Sequence, residues 1–312
     1  MKLIDNVILE KVLTYEILIS ALRQSFAAPD AVTPQRSHIT YEGSPDKNTS
    51  TLLLMPSWVP HKNLGVKIAT VSPANANHNL PSVNGVYLLF DAATGQCTHV
   101  FDAAIITAKR TAATSALASS YLSRQNSEIM LMVGTGTLAP ELIKAHASVR
   151  PIKKVLVWGR DYRKTEKVCK ETYSPGISLE PVRDIKSACA TADIISCATL
   201  SQTPLLSGIF IREGCHVDLV GSYLPTAREA DDSLIKKAKI YIDHDGAMRE
   251  SGDLRIPLEN NQIEASNILA DLHQLCAGLK QGRAHEFQIT LFKSVGHAME
   301  DLVAAQLIAK TL

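Results

Sequence analysis

The chain has 312 residues, 46% of them apolar and 20% charged, with a formal net charge of +1. That length can bury a substantial core in about two domains without metals or disulfides, and the charge balance leaves no electrostatic footprint for nucleic acid or an anionic membrane. No apolar run approaches the ~18 residues a membrane span needs. The N-terminal MKLIDNVILEKVL carries Asp5 and Glu10 inside its first apolar stretch, unlike a secretory signal. The cysteines at 97, 169, 189, 197, 215 and 276 have no metal-ligand spacing. A cytoplasmic protein is expected, with no metal and no nucleic-acid or membrane partner.

In chain order, LTYEILISALRQSFA (13–27) has the spacing of an amphipathic helix. Three β-rich runs follow, TLLLM (51–55), GVKIATV (65–71) and GVYLLFD (85–91), set apart by the turn-rich stretches YEGSPDKN (41–48) and SPANANHNLPS (72–82). This texture predicts a mostly antiparallel sheet. From residue 111 strands and helices alternate: EIMLMV precedes a helix near 138–148, KKVLVW one near 162–172 and ISLEPV one near 183–191. The apolar runs DIISCA, CHVDLV and KIYID then suit strands buried on both faces of a parallel sheet. The closing HAMEDLVAAQLIAKTL has helical spacing again.

Within this pattern LMVGTGTLAPEL (131–142) places a Gly-x-Gly-x-x-small turn between a predicted strand and a predicted helix. That is the context in which such a turn binds a dinucleotide. Gly134 makes the tight turn, Gly136 admits the pyrophosphate to the backbone, and Ala139 replaces the third glycine where helix meets strand. The phosphates would rest on the N–H groups at the helix start. After the second strand, VLVWGRDYRK has Trp158 and Gly159 where an NAD-preferring site carries an acid, followed by Arg160, Arg163 and Lys164. Guanidinium suits a 2′-phosphate, so NADP(H) is the expected cofactor, with NAD the alternative if Asp161 serves the ribose.

Three cations of the leading segment, Arg36, Lys67 and Arg110, lie in or beside apolar, strand-like sequence, where an unpaired buried charge is costly. Either they pair with protein acids or they await an anion. Thr111 follows Arg110 at what reads as a helix start, where its hydroxyl could cap the helix or reach the cofactor. Ser82 and His78 lie in a turn-rich loop, and His297 precedes the last helix as either an acid or a structurally satisfied side chain.

The motifs PQR (34–36), GVKIAT (65–70), LLFDAATG (88–95), ITAKRTAATSALAS (106–119), VGTGTLA (133–139), VGSYLPTAREAD (220–231) and LFKSVGHAMEDLVAA (291–305) run nearly the full length. Through them the chain resembles the ornithine cyclodeaminase/mu-crystallin family. The resemblance implies an α/β fold in which a Rossmann-type doubly wound parallel sheet is inserted into a second, mostly antiparallel α+β domain for substrate binding and dimerisation. The boundaries expected are 1–112 plus 293–312 for the second domain and 113–292 for the dinucleotide-binding domain, in a homodimer. It also implies that Arg36, Lys67 and Arg110 converge on a substrate carboxylate. Cofactor contacts are implied for Ser82, Thr111, Gly134, Thr135, Gly136, Thr137, Leu138, Ala139, Arg160, Arg163, Lys164, Ala198, Thr199, Gly221, Ser222, Val295 and Gly296.

An anion clamp serving a nicotinamide implies hydride transfer at the carbon bearing the carboxylate. The family's cyclodeaminases carry one acid on the strand matching LLLMP and another two residues after the glycine matching Gly221; here those positions are Leu53 and Tyr223. Their loss argues against ornithine, whose second amine needs carboxylates to handle its charge and protons. A clamp walled by Leu53, Met55 and Tyr223 suits a compact cyclic imine. The expected activity is reduction of Δ1-pyrroline-2-carboxylate to L-proline, with the piperideine analogue also accepted. Lys67 would orient the carboxylate and relay a proton, or act only as a third donor to it. Ornithine cyclodeamination, alanine-type amino-acid dehydrogenation and a non-enzymatic binder of the mu-crystallin kind are the alternatives.

Overall fold

The computed structural model describes residues 1–28, 30–43, 49–78 and 80–312. They form two compact units, residues 1–110 with 297–312 and residues 111–296. In the first unit, β1 (Lys2–Leu3), β2 (Ser37–Glu42), β3 (Thr49–Val59), β4 (Asn63–Val71), β5 (Val83–Asp91) and β6 (Cys97–Asp102) form one sheet in the order β1-β6-β5-β4-β3-β2. All its pairings are antiparallel except β1 with β6. Two helices, α1 (Asn6–Val12) and α2 (Tyr15–Ala27), precede β2. The turn-rich stretch 41–48 falls partly outside the described residues, and SPANANHNLPS includes a 3₁₀ turn, Pro73–His78.

Alternation along β3 buries Leu53, Met55 and Val59 on one face, and the paired strands add Lys67, Ala69 and Val71 from β4 and Tyr87 and Leu89 from β5. The period of two is what sends these side chains to a single layer. That layer is covered by α11 (Ala298–Ala309), which packs on β3, β4, β5 and α2. Residues 298–305 and Ile308 of α11 are buried. A helix buried on every side is normally apolar throughout; this one carries Glu300 and Asp301 into the core at 0% exposure.

After β6 comes α3 (Ala103–Leu122), which crosses the boundary at residue 110 and whose start is fixed by the Asp102 carboxylate accepting from the Ala104 N–H at 2.7 Å. Thr111 is therefore well inside this helix and cannot cap its start, which corrects the sequence expectation. The stretch reads as a boundary because Lys109-Arg110 interrupts a small-residue run. Both are nevertheless buried within the helix.

The second unit is an eight-stranded sheet, all of whose pairings are parallel, in the order β13-β12-β14-β11-β10-β7-β8-β9. Its strands are β7 (Ile129–Val133), β8 (Lys154–Trp158), β9 (Ser178–Pro181), β10 (Ile194–Cys197), β11 (His216–Leu219), β12 (Lys239–Ile242), β13 (Ile268–Asp271) and β14 (Thr290–Lys293). The chain leaves β7 toward β8 and β9, then returns to the other side of β7 as β10. Ligands of such sheets bind where the strand order reverses, beyond the carboxyl ends of the strands. The connecting helices include α4 (Leu138–Val149) and α5 (Tyr162–Glu171). Among the described residues no helix is long and apolar enough to cross a membrane.

Candidate active site

In the first unit the register sets Met55, Lys67 and Tyr87 side by side across β3, β4 and β5, facing α11. Lys67 Nζ lies 2.8 Å from Asp301 Oδ2 and donates to Thr107 Oγ1 of α3 at 3.4 Å. The other oxygen of Asp301 accepts from Arg110 Nε at 3.1 Å, and Glu300 Oε2 accepts from Arg110 Nη1 at 2.7 Å. Asp301 thus bridges the two cations. Arg36, half-buried just before β2, directs Nη1 to the Met55 sulfur at 3.9 Å. The structure therefore gathers Arg36, Met55, Lys67 and Arg110, three cations beside the two buried carboxylates of Glu300 and Asp301.

The electrostatics follow from this packing. Burial strips solvation from Lys67 and, with help from Arg110 and Arg36, brings its pKa down from 10.5 to about 8, although Asp301 pulls the other way. Burial works against Arg110 too, but Asp301 and Glu300 more than offset it and push its pKa up. Burial would raise Asp301, and the two cations overcome it and hold the carboxyl low. Beside this network the Tyr87 hydroxyl is fully buried. Burial and the Asp301 charge raise its pKa well above 10.

Glu300 and Asp301 were absent from the sequence reading, although they sit in the quoted HAMEDLVAA run. The signal was available: two adjacent acids in an otherwise apolar helix must be buried, and buried charges need partners. They also occupy the helix's first turn, where the macrodipole favours carboxylates. His297 stands at the N-cap of α11, where its own N–H donates to Glu300 Oε1 at 3.3 Å and its ring lies 6.4 Å from Phe26. Its observed contacts are those of a structural cap. Ser82 lies immediately before β5, its carbonyl accepting from Ser72 N–H at 2.7 Å, and His78 is exposed.

In the second unit the candidate nucleotide residues follow the carboxyl ends of five strands: 134–139 after β7, 159–164 after β8, 198–199 after β10, 221–222 after β11 and 295–296 after β14. Gly134 has φ +118°, and a Cβ there would lie 2.5 Å from the Ala198 carbonyl oxygen. Both facts require glycine at the tight turn. Gly136 faces open space, Thr135, Thr137 and Leu138 lead into α4, and Ala139 is buried at 1% exposure. Arg160, Arg163 and Lys164 are exposed. Asp161 instead caps α5, accepting from Arg163 N–H at 3.0 Å.

Two buried acids that the sequence reading also missed fasten these loops. Glu229 accepts from the Thr199 N–H (2.7 Å) and hydroxyl (2.8 Å) and from the N–H groups of Gly221 (2.8 Å) and Ser222 (3.3 Å). A Cβ on Gly221 would lie 2.0 Å from the Thr199 carbonyl, so the two loops touch backbone to backbone. Asp243, just beyond β12, accepts from Val295 N–H at 2.8 Å and Gly296 N–H at 2.7 Å. Tyr223, at the end of the 221–223 loop, has its hydroxyl pKa raised by burial.

A glycine turn at the reversal of a parallel sheet, an open helix N-terminus beside it and fixed loops at the strand ends fit a nicotinamide dinucleotide, and this defines a dinucleotide-binding fold. The chain belongs to the ornithine cyclodeaminase/mu-crystallin family, whose model matches residues 6–312. It is 37% identical to the Δ1-pyrroline-2-carboxylate reductase of Colwellia psychrerythraea, covering 100% of this chain and 99% of that one. Among solved structures, Thermococcus litoralis Δ1-pyrroline-2-carboxylate reductase in complex with NADH and L-proline superposes with TM-score 0.94 at 34% identity, over 99% of this chain and 97% of that one. An archaeal alanine dehydrogenase dimer with bound NAD gives TM-score 0.90 at 25% identity, over 99% and 97%.

Proposed function

We propose that this protein reduces Δ1-pyrroline-2-carboxylate, and its six-membered homologue Δ1-piperideine-2-carboxylate, to L-proline and L-pipecolate. The observation that carries the reading is the convergence of Lys67 and Arg110 on the buried carboxylate of Asp301, with Arg36 brought beside them at Met55, which gathers three cations where a substrate carboxylate would be held. When bound, the reduced nicotinamide supplies a hydride to the imine carbon. Arg110 has two nitrogens committed to Asp301 and Glu300 and makes no other hydrogen bond among the described residues; its Nη2 is the donor for substrate. Arg36 is the second carboxylate donor. Lys67 supplies the proton to the imine nitrogen, and a pKa of about 8 suits a donor near neutral pH. Met55 and Leu53 give the apolar wall, and Tyr223 is a further substrate contact.

For the cofactor, Gly134, Thr135, Gly136, Thr137, Leu138 and Ala139 would cradle the pyrophosphate. Ala198, Thr199, Gly221, Ser222, Val295 and Gly296 would line the nicotinamide half, with Thr111 and Ser82 as further contacts. Arg160, Arg163 and Lys164 support a preference for NADPH over NADH, because Asp161 is spent on capping α5. Arg160→Ala should weaken NADPH by about 1.5–3 kcal/mol, the worth of a charged hydrogen bond, and leave NADH nearly unchanged. Fluorescence titration of both cofactors checks this, and equal losses would overturn the assignment.

The edge strand β2, whose residues including Ile39 and Tyr41 are exposed, is a surface that a homodimer would cover. The six free cysteines suit a reducing compartment such as the cytoplasm.

The test of function is a cofactor-oxidation screen with both cyclic imines, with pyruvate plus ammonia, and with L-ornithine in the oxidative direction. The imines should turn over, and ornithine should release no ammonia, because Leu53 and Tyr223 supply no carboxylate. Robust conversion of ornithine to proline would reverse the choice of substrate.

A further inference from the structure

Asp301 has no role as a donor to substrate, yet both Lys67 and Arg110 meet on it. Its carboxylate is fully buried, reaches Lys67 with one oxygen at 2.8 Å and receives Arg110 Nε on the other at 3.1 Å. A rigid helix holds it there, since α11 is packed against three strands and α2. The groups facing Lys67 are Arg36 beside β2, Tyr87 on β5, Thr107 and Arg110 on α3, and Glu300 and Asp301 on α11. Of these only Asp301 combines a negative charge with direct contact to the ammonium. Glu300 spends its oxygens on Arg110 and on the His297 N–H.

We propose that Asp301 is the positioning residue of the imine-reducing site, keeping Lys67 charged as proton donor while fixing the edge that Arg110 turns toward the substrate carboxylate. This rests on the reading of the cluster as an imine carboxylate site. In the step it serves, the C=N π bond opens, hydride adds at carbon and a proton from Lys67 Nζ adds at nitrogen. Lys67 is left as the neutral amine and regains its proton from water. Without the carboxylate, burial and two neighbouring arginines would act on Lys67 unopposed, and the amine would be neutral at the pH where it must donate.

The prediction can be read without turnover. In protein labelled with ¹³Cε-lysine, with the Lys67 resonance assigned from Lys67→Arg, Lys67 should titrate near pH 8. In Asp301→Asn it should titrate about one pH unit or more lower, because an opposite charge in contact is worth about 1–3 pH units. Glu300→Gln should leave the Lys67 titration within a few tenths of wild type. The falling limb of kcat/KM against pH should move down with the Lys67 titration in Asp301→Asn.

If Asp301→Asn does not fold, Lys67→Met tests the same coupling from the other side. The Asp301 carboxyl, followed by ¹³C, should then titrate higher than in wild type, since the pair energy is reciprocal. An unmoved Lys67 resonance in Asp301→Asn, or an unmoved Asp301 carboxyl in Lys67→Met, overturns the proposal. Failure of the imine substrates in the turnover screen would instead overturn the functional reading and leave these titrations as they are.

Discussion

Arg110→Lys should lower kcat/KM for the cyclic imine by about 10²-fold or more, the usual cost of misplacing the reacting carbon by about an ångström. The structure says why charge alone is not enough. Arg110 presents Nε to Asp301 and Nη1 to Glu300, and in the proposed site its remaining nitrogen is the donor to substrate. An ammonium is a single point donor and cannot span two carboxylates and a ligand in fixed directions. One of the two acids therefore loses its contact with this side chain while remaining at 0% exposure. Removing one member of a buried pair outright costs about 3–5 kcal/mol, and lysine, which keeps the charge, should cost less. A lowered melting temperature should therefore accompany the loss of activity. Steady-state kinetics, thermal denaturation and direct cofactor titration on the same preparation separate the effects. Near-normal kcat/KM would show that the carboxylate is held elsewhere and that Arg110 is a purely structural cation.

Lys67→Met should reduce kcat/KM by about 10²–10⁴-fold, the range for loss of a general acid, and should also flatten its pH dependence. In the wild type the donor must be charged. The folded-state value of about 8 then means that kcat/KM falls as pH rises through that point. The stability effect has the opposite direction. Because the folded pKa lies below the unfolded value of 10.5, the unfolded chain binds more protons between about pH 8 and 10.5. Wild-type stability should therefore gain from Lys67 as pH rises through that window, and the methionine variant should lack this gain. A wild-type profile that stays level through pH 9, or a methionine variant that keeps the falling limb, would remove Lys67 from proton transfer.

Much of this protein was legible because its signals are local. The glycine turn at 134–139 lies between a strand and a helix as its spacing predicts, and Gly134 carries the positive φ that only glycine accepts easily. The alternation along 51–55 and 65–71 sends Met55 and Lys67 to one layer, as a period of two must. The absence of a ribose-binding acid at Trp158 and Gly159 was visible in the sequence, and the structure shows Asp161 capping α5. Thr111 was misplaced because two basic residues look like a break, whereas the helix start depends on the Asp102 carboxylate nine positions earlier.

By itself, then, the sequence determined the elements, the glycine turn, the three cations and the absence of acids at positions 53 and 223, since each rests on backbone geometry or residue chemistry within a few positions. Which charges meet was decided only by the tertiary structure. Asp301 lies 191 positions from Arg110 and reaches it because α11 is buried against the first unit's sheet. Glu229 and Asp243 likewise bind backbone N–H groups on separate loops. The physical reason is the same in each case. A buried carboxylate must find donors, and sequence can announce that need, but only the packed chain can say which N–H groups and cations come within hydrogen-bond reach to meet it.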